Sequence, residues 1–461
     1  MEENTPTVSL VSCMHFVRRG VAKAVPEKIE LTEKELENII KQTADELRIT
    51  EAGEDVSDDD GDGNEPAAPP ANPNDEFNFE NYDEEDTSNP IGIGSVATLP
   101  NLGDLSENVQ IRTEGPDSDE EDDIIKSDDN LLLVGHVESD ASVLEVYIYN
   151  KEEGSFYVHH DIILPWFPLC IEWLSHDPSD PNPGNLCALG GMDPVIQVWD
   201  LDIENCLEPA FKLGKKPNKK KKTKRVGHKD AVLDLSWNRN FTHVLASGSA
   251  DSTVLLWDLD QGAPHTKLDY FQDKVQSVSF HPLEAQTLLA GACDGAARVT
   301  DCRAAHAHKA WPLPPEIERA VWDTHNPYCF AMSNNEGKVA YVDCRQDEVL
   351  WTITAHEKEV TGLILSENIP GMMVTLSTDG KIKTWDITSS CATQVSEATT
   401  RVGQTLCAAA CPDAPLSVAL GGDNKQCCIQ LIDLADSQQV TNRFGSRPMI
   451  SIKTEPSSME T

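Results

Sequence analysis

The chain has 461 residues, room for one large domain or two to three ordinary ones, and carries 78 acidic against 37 basic side chains for a formal net charge of −41. No stretch approaches the roughly 18–20 apolar residues that a membrane helix needs, and Met1 is followed by Glu2, Glu3 and Asn4 rather than by the basic and then apolar run of a secretory signal. The 13 cysteines are unevenly spaced, with Cys407/Cys411 and Cys427–Cys428 the closest groupings, so they exclude a disulfide framework and paired metal knuckles and suit reduced, buried strand residues of an intracellular protein.

In chain order, the run Thr7–Val17 (TVSLVSCMHFV) has strand character. Leu31–Arg48 has helical spacing through Leu36, Ile39, Ile40 and Leu47, and Thr32 with Glu35 makes a capping box. Residues 51–130 hold 26 carboxylates against Arg112 and Lys126 alone, a net of −24. So charged and apolar-poor a segment cannot bury enough surface to offset its ordering entropy, and disorder is expected. Beyond it the runs Asn130–Val134 and Leu144–Asn150 read as strands, and the Pro/Asp/Asn-rich stretch Pro178–Gly184 as a long loop.

From residue 199 onward the chain repeats itself. Short apolar runs end in Trp199-Asp200, Trp257-Asp258, Thr300-Asp301, Val342-Asp343, Trp385-Asp386 and Ile432-Asp433, and from the second to the fifth the steps are 43, 42 and 43 residues. Trp237, Phe280, Trp322 and Leu365 keep the same steps, each 20 residues before the position that precedes the aspartate. Between the landmarks, alternating runs such as Val232–Trp237 and Val275–Phe280 are separated by turn signals. A period near 40–45 closed by Trp-Asp marks a four-stranded propeller blade, and here the sequence resembles the WD-repeat family.

That resemblance implies a hydrogen-bonded set of His, Ser/Thr, Asp and Trp in each complete blade. His228, Ser247, Asp251 and Trp257 stand at the required spacing, and His356, Thr375, Asp379 and Trp385 repeat it. These are structural residues, so His228 and His356 are core hydrogen-bond partners and not catalytic bases. In the next blade Phe271, Ala290 and Thr300 replace three of the four and leave Asp294; the blade ending at Asp343 keeps Glu336 but has Met332 and Val342. Both should rely on apolar packing. Six units end at Asp200, Asp258, Asp301, Asp343, Asp386 and Asp433, and Tyr149-Asn150 supplies a seventh closure. The expected fold is all-β: a seven-bladed WD-repeat β-propeller with an N-terminal helix and a disordered acidic arm. The segments are 1–25 (a possible closing strand), 26–50 (helix), 51–129 (acidic linker), 130–440 (propeller) and 441–461 (flexible tail). Thr7–Val17 and the segment after Asp433 compete to complete the ring.

Lys212–Arg225 packs nine basic residues into fourteen and falls between the outer strand of one blade and the His228 opening of the next. Lys215, Lys216, Lys219, Lys220, Lys221, Lys222, Lys224 and Arg225 fit a nuclear import signal, a nonspecific phosphate contact or a merely solvated loop. Without interleaved aromatics, base stacking is disfavoured. Ser57 and Ser118 precede acidic runs that suit acid-directed kinases, and Lys453 lies in an apolar-Lys-x-Glu pattern typical of SUMO acceptors. The acidic arm calls for a partner of opposite sign, or for the lysine loop itself.

No Gly-rich phosphate loop, HExxH or GxSxG elbow is present. His159-His160-Asp161 suggests a metal pair, but adjacent strand residues point to opposite faces, so no metal is expected there. No catalytic residue, cofactor or small-molecule substrate is expected. The stretches Gly20–Lys23, Glu152–Ile162, Pro194–Ile203, Ala231–Asn238 and Phe444–Arg447, with the acidic arm between them, are similar to one eukaryotic branch of the WD-repeat family. That similarity implies a scaffold of the nucleus and nucleolus, associated with chromatin, that promotes ribosomal RNA transcription and ribosome biogenesis. Its partners would be histones, polymerase I machinery and other proteins of ribosome production, with nonspecific nucleic acid at the lysine loop and no membrane. Two other functions compete. Arg303 and Arg345 each follow a blade-ending aspartate by two residues, resembling the adaptor contact of substrate receptors in cullin-type ubiquitin ligases. A histone reader or chaperone would instead use the propeller mouth or the acidic arm.

Overall fold

In the computed structural model, which describes residues 9–28, 124–139, 141–217, 223–304 and 307–450, the alternating runs become strands in chain order. They are β1 (Ser9–Val17), β2 (Glu27–Lys28), β3 (Asn130–Glu138), β4 (Ala141–Asn150), β5 (Ser155–Leu164), β6 (Pro168–Leu174), β7 (Leu186–Gly191), β8 (Ile196–Asp200), β9 (Ile203–Glu204) and β10 (Phe211–Leu213). Then follow β11 (Val232–Trp237), β12 (Val244–Ser249), β13 (Val254–Asp258), β14 (Ala263–Leu268), β15 (Val275–Phe280), β16 (Thr287–Ala292), β17 (Ala296–Asp301), β18 (His308–Pro312), β19 (Ile317–Trp322) and β20 (Cys329–Asn334). The last are β21 (Lys338–Asp343), β22 (Val349–Thr354), β23 (Gly362–Leu365), β24 (Met372–Leu376), β25 (Lys381–Asp386), β26 (Thr393–Thr399), β27 (Thr405–Ala410), β28 (Ser417–Gly422) and β29 (Ile429–Asp433).

Seven antiparallel sheets result. Six have four strands and the last, β27-β28-β29, has three among the described residues. The first strands of the sheets touch in a closed ring, β1 to β6, β11, β15, β19, β23, β27 and back to β1. This is a seven-bladed β-propeller. Middle strands such as β7 and β28 are buried along their whole length, because they face a neighbouring blade on both sides. The core lies between blades, as where Trp257, Trp237 and Leu245 of blade 3 pack on Leu174, Ile196 and Val198 of blade 2.

The N-terminal run closes the ring, but from the inside. β1 pairs with β3 and is the innermost strand of blade 1, not the outer strand of the last blade. Val11, Met14 and Phe16 pack on Cys407, Cys411 and Ala419 of blade 7. Contact there is so close that a Cβ on Gly421 would lie 2.5 Å from Val11 Cγ1 and 2.6 Å from Cys407 Sγ. Polar bonds finish the seam: Asn130 Nδ2 donates to Val17 O (3.0 Å) and to Asp413 Oδ2 (2.7 Å), and Arg19 N donates to the same carboxylate (2.9 Å).

Three segment expectations change. Glu27 and Lys28, placed at the head of a helix, pair in parallel with Ile203 and Glu204, because backbone partners are available on β9; the rest of Leu31–Arg48 lies outside the described residues. Residues 124–129, assigned to the acidic linker, fold onto blade 1: Ile125 is buried, and Asp129 is buried against Asn150 Nδ2 at 2.9 Å. The start of the expected flexible tail is ordered as well. Helix α1 (Gln438–Phe444) buries Val440 and Phe444 against Ile369, Met372, Leu376 and Val402, so two apolar anchors hold it.

Candidate binding surfaces

The complete blade sets form as hydrogen-bond relays that fix the loops above them. His228 Nε2 lies 2.7 Å from Ser247 Oγ, which accepts from Trp257 Nε1 at 2.8 Å, while His228 Nδ1 faces Asp251 at 3.2 Å. Burial alone would raise the Asp251 carboxyl, but hydrogen bonds from His228, Thr253 and the Lys229 N–H outweigh it and hold the group well below the usual carboxylate range. In blade 6, His356 Nε2 lies 2.8 Å from Thr375 Oγ1, Trp385 Nε1 donates to the same hydroxyl at 2.9 Å, and His356 Nδ1 faces Asp379 at 3.0 Å. Burial lowers His356, which keeps its imidazole neutral within the set.

Blade 4 does not rely on apolar packing alone, contrary to expectation. Asp294 binds Arg298 at 2.8 Å, the guanidinium sits 5.4 Å from the Phe271 ring, and Tyr270 hydrogen-bonds Thr300. The missing histidine is thus replaced by an arginine reached from within β17. Blade 5 is apolar at the corresponding positions: Met332 and Val342 are fully buried beside Trp311 and Phe330, and Glu336 turns outward to Lys338 at 2.8 Å.

The lysine loop is mounted directly on the first of these sets. Lys215 and Val226 exchange backbone hydrogen bonds at 2.8 and 3.0 Å and close its base. The flanking glycines Gly214 (φ +99°) and Gly227 (φ +100°) have conformations that L side chains avoid, and a Cβ on Gly227 would lie 2.7 Å from Trp257 Cη2. The stem therefore rests on the edge of a buried tryptophan and projects the basic run outward. Lys215 and Lys224 are exposed, Lys216 reaches Asp193 at 2.5 Å, and Arg225 folds back to the carbonyls of His228 and Lys229 at 3.2 and 3.0 Å. Lys219, Lys220, Lys221 and Lys222 lie outside the described residues, as do Ser57, Ser118 and Lys453.

Arg303 and Arg345 occupy equivalent places at the ends of β17 and β21. Each guanidinium is largely solvent-exposed and forms a two-point contact with its own blade-ending aspartate, at 2.6 Å for both shortest contacts. Arg345 also stacks 4.3 Å from the Tyr328 ring centroid. His159 and His160 are not on opposite faces, contrary to expectation. A bulge in β5 lets Val146 pair with His160 while Tyr147 pairs with Val158, so His159 is the extra residue and the two Nδ1 atoms come within 2.9 Å.

At the propeller axis, His15 Nδ1 lies 3.7 Å from Glu172 Oε2, but the two are not an ion pair at neutral pH. Burial pushes Glu172 up to about 7, with the Trp237 N–H and Arg239 opposing, while burial and Arg239 push His15 down to about 4. A carboxyl whose folded pKa exceeds its unfolded value (4.5) contributes stability below pH 4.5 and loses it as pH rises through 7. Glu172→Gln, which keeps the acceptor for Trp237 N, should therefore raise stability at pH 8 by about 2 kcal/mol and leave it unchanged near pH 4. Urea denaturation at the two pH values measures the difference; a destabilised variant at pH 8 would mean that the ionised carboxylate is held by its arginine.

Residues 219–258, which cover blade 3, match the family described as WD domain, G-beta repeat. Over 95% of its length the chain is 42% identical to the periodic tryptophan protein 1 homolog of Drosophila melanogaster, covering 97% of that protein. It is 30% identical to periodic tryptophan protein 1 of Saccharomyces cerevisiae, over 95% of this chain and 90% of the yeast protein. To an uncharacterized WD repeat-containing protein of Schizosaccharomyces pombe it is 31% identical, over 95% and 92% respectively.

Proposed function

Because the chain belongs to the periodic tryptophan protein 1 family of WD-repeat proteins, we propose that it is a chromatin-associated scaffold of the nucleus and nucleolus that promotes ribosomal RNA transcription and ribosome biogenesis, with no catalysis of its own. The observation that carries this reading is the lysine loop on its closed stem. A basic run raised on a rigid base presents itself to an import receptor or to phosphates without disturbing the blades. The acidic arm gives the same chain a surface of opposite sign, suited to histones and basic ribosomal proteins. Propeller faces supply the remaining protein contacts, with polymerase I machinery the expected client.

Replacing Lys215, Lys216, Lys219, Lys220, Lys221, Lys222, Lys224 and Arg225 by serine should abolish nuclear accumulation in cells expressing a fluorescent fusion. The thermal midpoint should stay unchanged, because the replaced side chains that are described are exposed. Retained nuclear accumulation would remove the loop from import. Recovery of a tagged full-length protein from nuclear extract, with and without nuclease, identifies the partners. Ribosomal-gene chromatin and pre-ribosomal proteins that survive nuclease support the scaffold; their loss with nuclease shifts the contact to nucleic acid, whose binding through the loop would weaken steeply with salt. Recovery dominated by ubiquitin-ligase adaptors, and abolished by Arg303→Ala with Arg345→Ala, would replace this reading.

A further inference from the structure

The outer edge of blade 1 brings together chemistry that neither the repeat nor the proposed scaffold role requires. At the β5 bulge, two consecutive imidazoles turn to the same side, their planes 81° apart and their Nδ1 atoms 2.9 Å apart. Glu204, from the short strand β9 of the next blade, places Oε1 3.9 Å from His159 Nδ1. One ligand atom from each of the three residues lies within 4.8 Å of the others. All are withdrawn from water: the His159 side chain is 2% exposed, His160 8% and Glu204 7%. His160 Nε2 is buried without a hydrogen-bond partner, so the polar contact of this ring runs through Nδ1, toward the point that the other two ligands also face. Lys28 Nζ stands 3.5 Å from Glu204 Oε2 and leaves Oε1 directed at the histidines.

We propose that His159, His160 and Glu204 bind a single zinc ion that clamps the outer strand of blade 1 to the β9 turn of blade 2. Two neutral imidazole nitrogens and one carboxylate oxygen form the donor set of a borderline cation; magnesium and calcium would demand oxygen throughout. Zinc–nitrogen bonds of about 2.0–2.1 Å in a tetrahedron set the nitrogens roughly 3.3 Å apart, so the rings need to part by only a few tenths of an ångström. Water takes the fourth position. Because β9 also pairs with Glu27–Lys28, the ion fixes the place where the chain leaves the propeller toward the acidic segment.

Cobalt(II) is the test probe, since its spectrum reports both geometry and donor type. Chelator-treated full-length protein titrated with cobalt should develop tetrahedral d–d absorption with one equivalent, without a thiolate-to-cobalt charge-transfer band, and zinc should bleach it. His160→Ala should abolish the absorption. Glu204→Gln, which keeps shape and volume, should weaken cobalt binding by more than about tenfold while leaving the strand-rich circular dichroism spectrum intact. Zinc should raise the thermal midpoint of the parent protein and of neither variant. Absence of tetrahedral absorption, a charge-transfer band that places the metal on cysteines, or absorption unchanged in both variants would each overturn the assignment.

Discussion

Trp257→Ala lowers the stability of the full-length protein by about 3–5 kcal/mol, the cost of emptying a large buried aromatic site. Trp257 is fully buried where blades 2 and 3 meet, among Leu213, Leu235, Leu245 and Leu255. Truncation removes the ring and also a donor to Ser247 Oγ, which sits in the relay to His228 and Asp251. It also unseats the stem of the lysine loop, since Gly214 and Gly227 both approach the Trp257 ring edge. Calorimetry should show the loss, and limited proteolysis should show faster cleavage within 212–225. A change below about 1 kcal/mol would mean that neighbouring leucines refill the space.

A paired substitution isolates the hydrogen bond from the volume. Trp199 occupies the corresponding place in blade 2, equally buried, but its Nε1 has no partner, because Leu189 stands where Ser247 stands in blade 3. Trp257→Phe and Trp199→Phe lose the same atoms, yet only the first breaks a buried hydrogen bond. The first should therefore cost about 1–2 kcal/mol more than the second. Equal costs would show that the relay contributes to loop order and not to stability.

What was legible in the sequence was whatever repeats. The 43-residue period and the Trp-Asp closures fix blade number and strand order, because each blade must bury the same faces against its neighbours. Identical spacing likewise identified both complete histidine sets. What breaks the period stayed hidden. The bulge at His159 inverted the face assignment, since one extra residue defeats alternation. A signal did exist: β14, β22 and β26 slip at the same place, after Leu256, Tyr341 and Thr384, and in β14 the slip likewise brings His265 to 2.9 Å from its neighbour Thr266. Arg298 in blade 4 was missed because a guanidinium entering from another strand position leaves no mark in the His-Ser-Asp-Trp spacing. Helix α1 was missed for a different reason: seven residues carry too little intrinsic helicity to stand out, and their order comes from tertiary contacts.

Those tertiary contacts converge on Asp386, where removing one carboxylate should release the C-terminal end. Asp386 closes blade 6, and its side chain is 1% exposed. Oδ1 accepts from Thr388 N and Oγ1, while Oδ2 accepts from Arg443 of α1 and from Arg447 just beyond it. Arg447 also donates to Pro370 O at 2.7 Å and stacks 4.7 Å from the Phe444 ring, so carboxylate, arginine and apolar anchor form one unit. Burial would raise the carboxyl, but the Thr388 and arginine hydrogen bonds outweigh it and hold it at about 2. A depressed carboxyl contributes stability above its unfolded value, 3.8, and loses it as pH falls through 2, so the latch is intact at neutral pH. Asp386→Ala should cost roughly 3 kcal/mol, because two guanidinium groups lose their counter-charge. Amide exchange should then accelerate across residues 438–447 while the blade strands stay protected. Arg447→Ala should have a larger effect than Arg443→Ala, since the Arg447 side chain is 18% exposed and the Arg443 side chain 51%. Since blade 7 has three described strands, with α1 packed between its flank and blade 6, loss of the latch should expose Val440 and Phe444 and favour self-association. Protection of α1 that survives Asp386→Ala would instead assign its hold to those two apolar anchors alone.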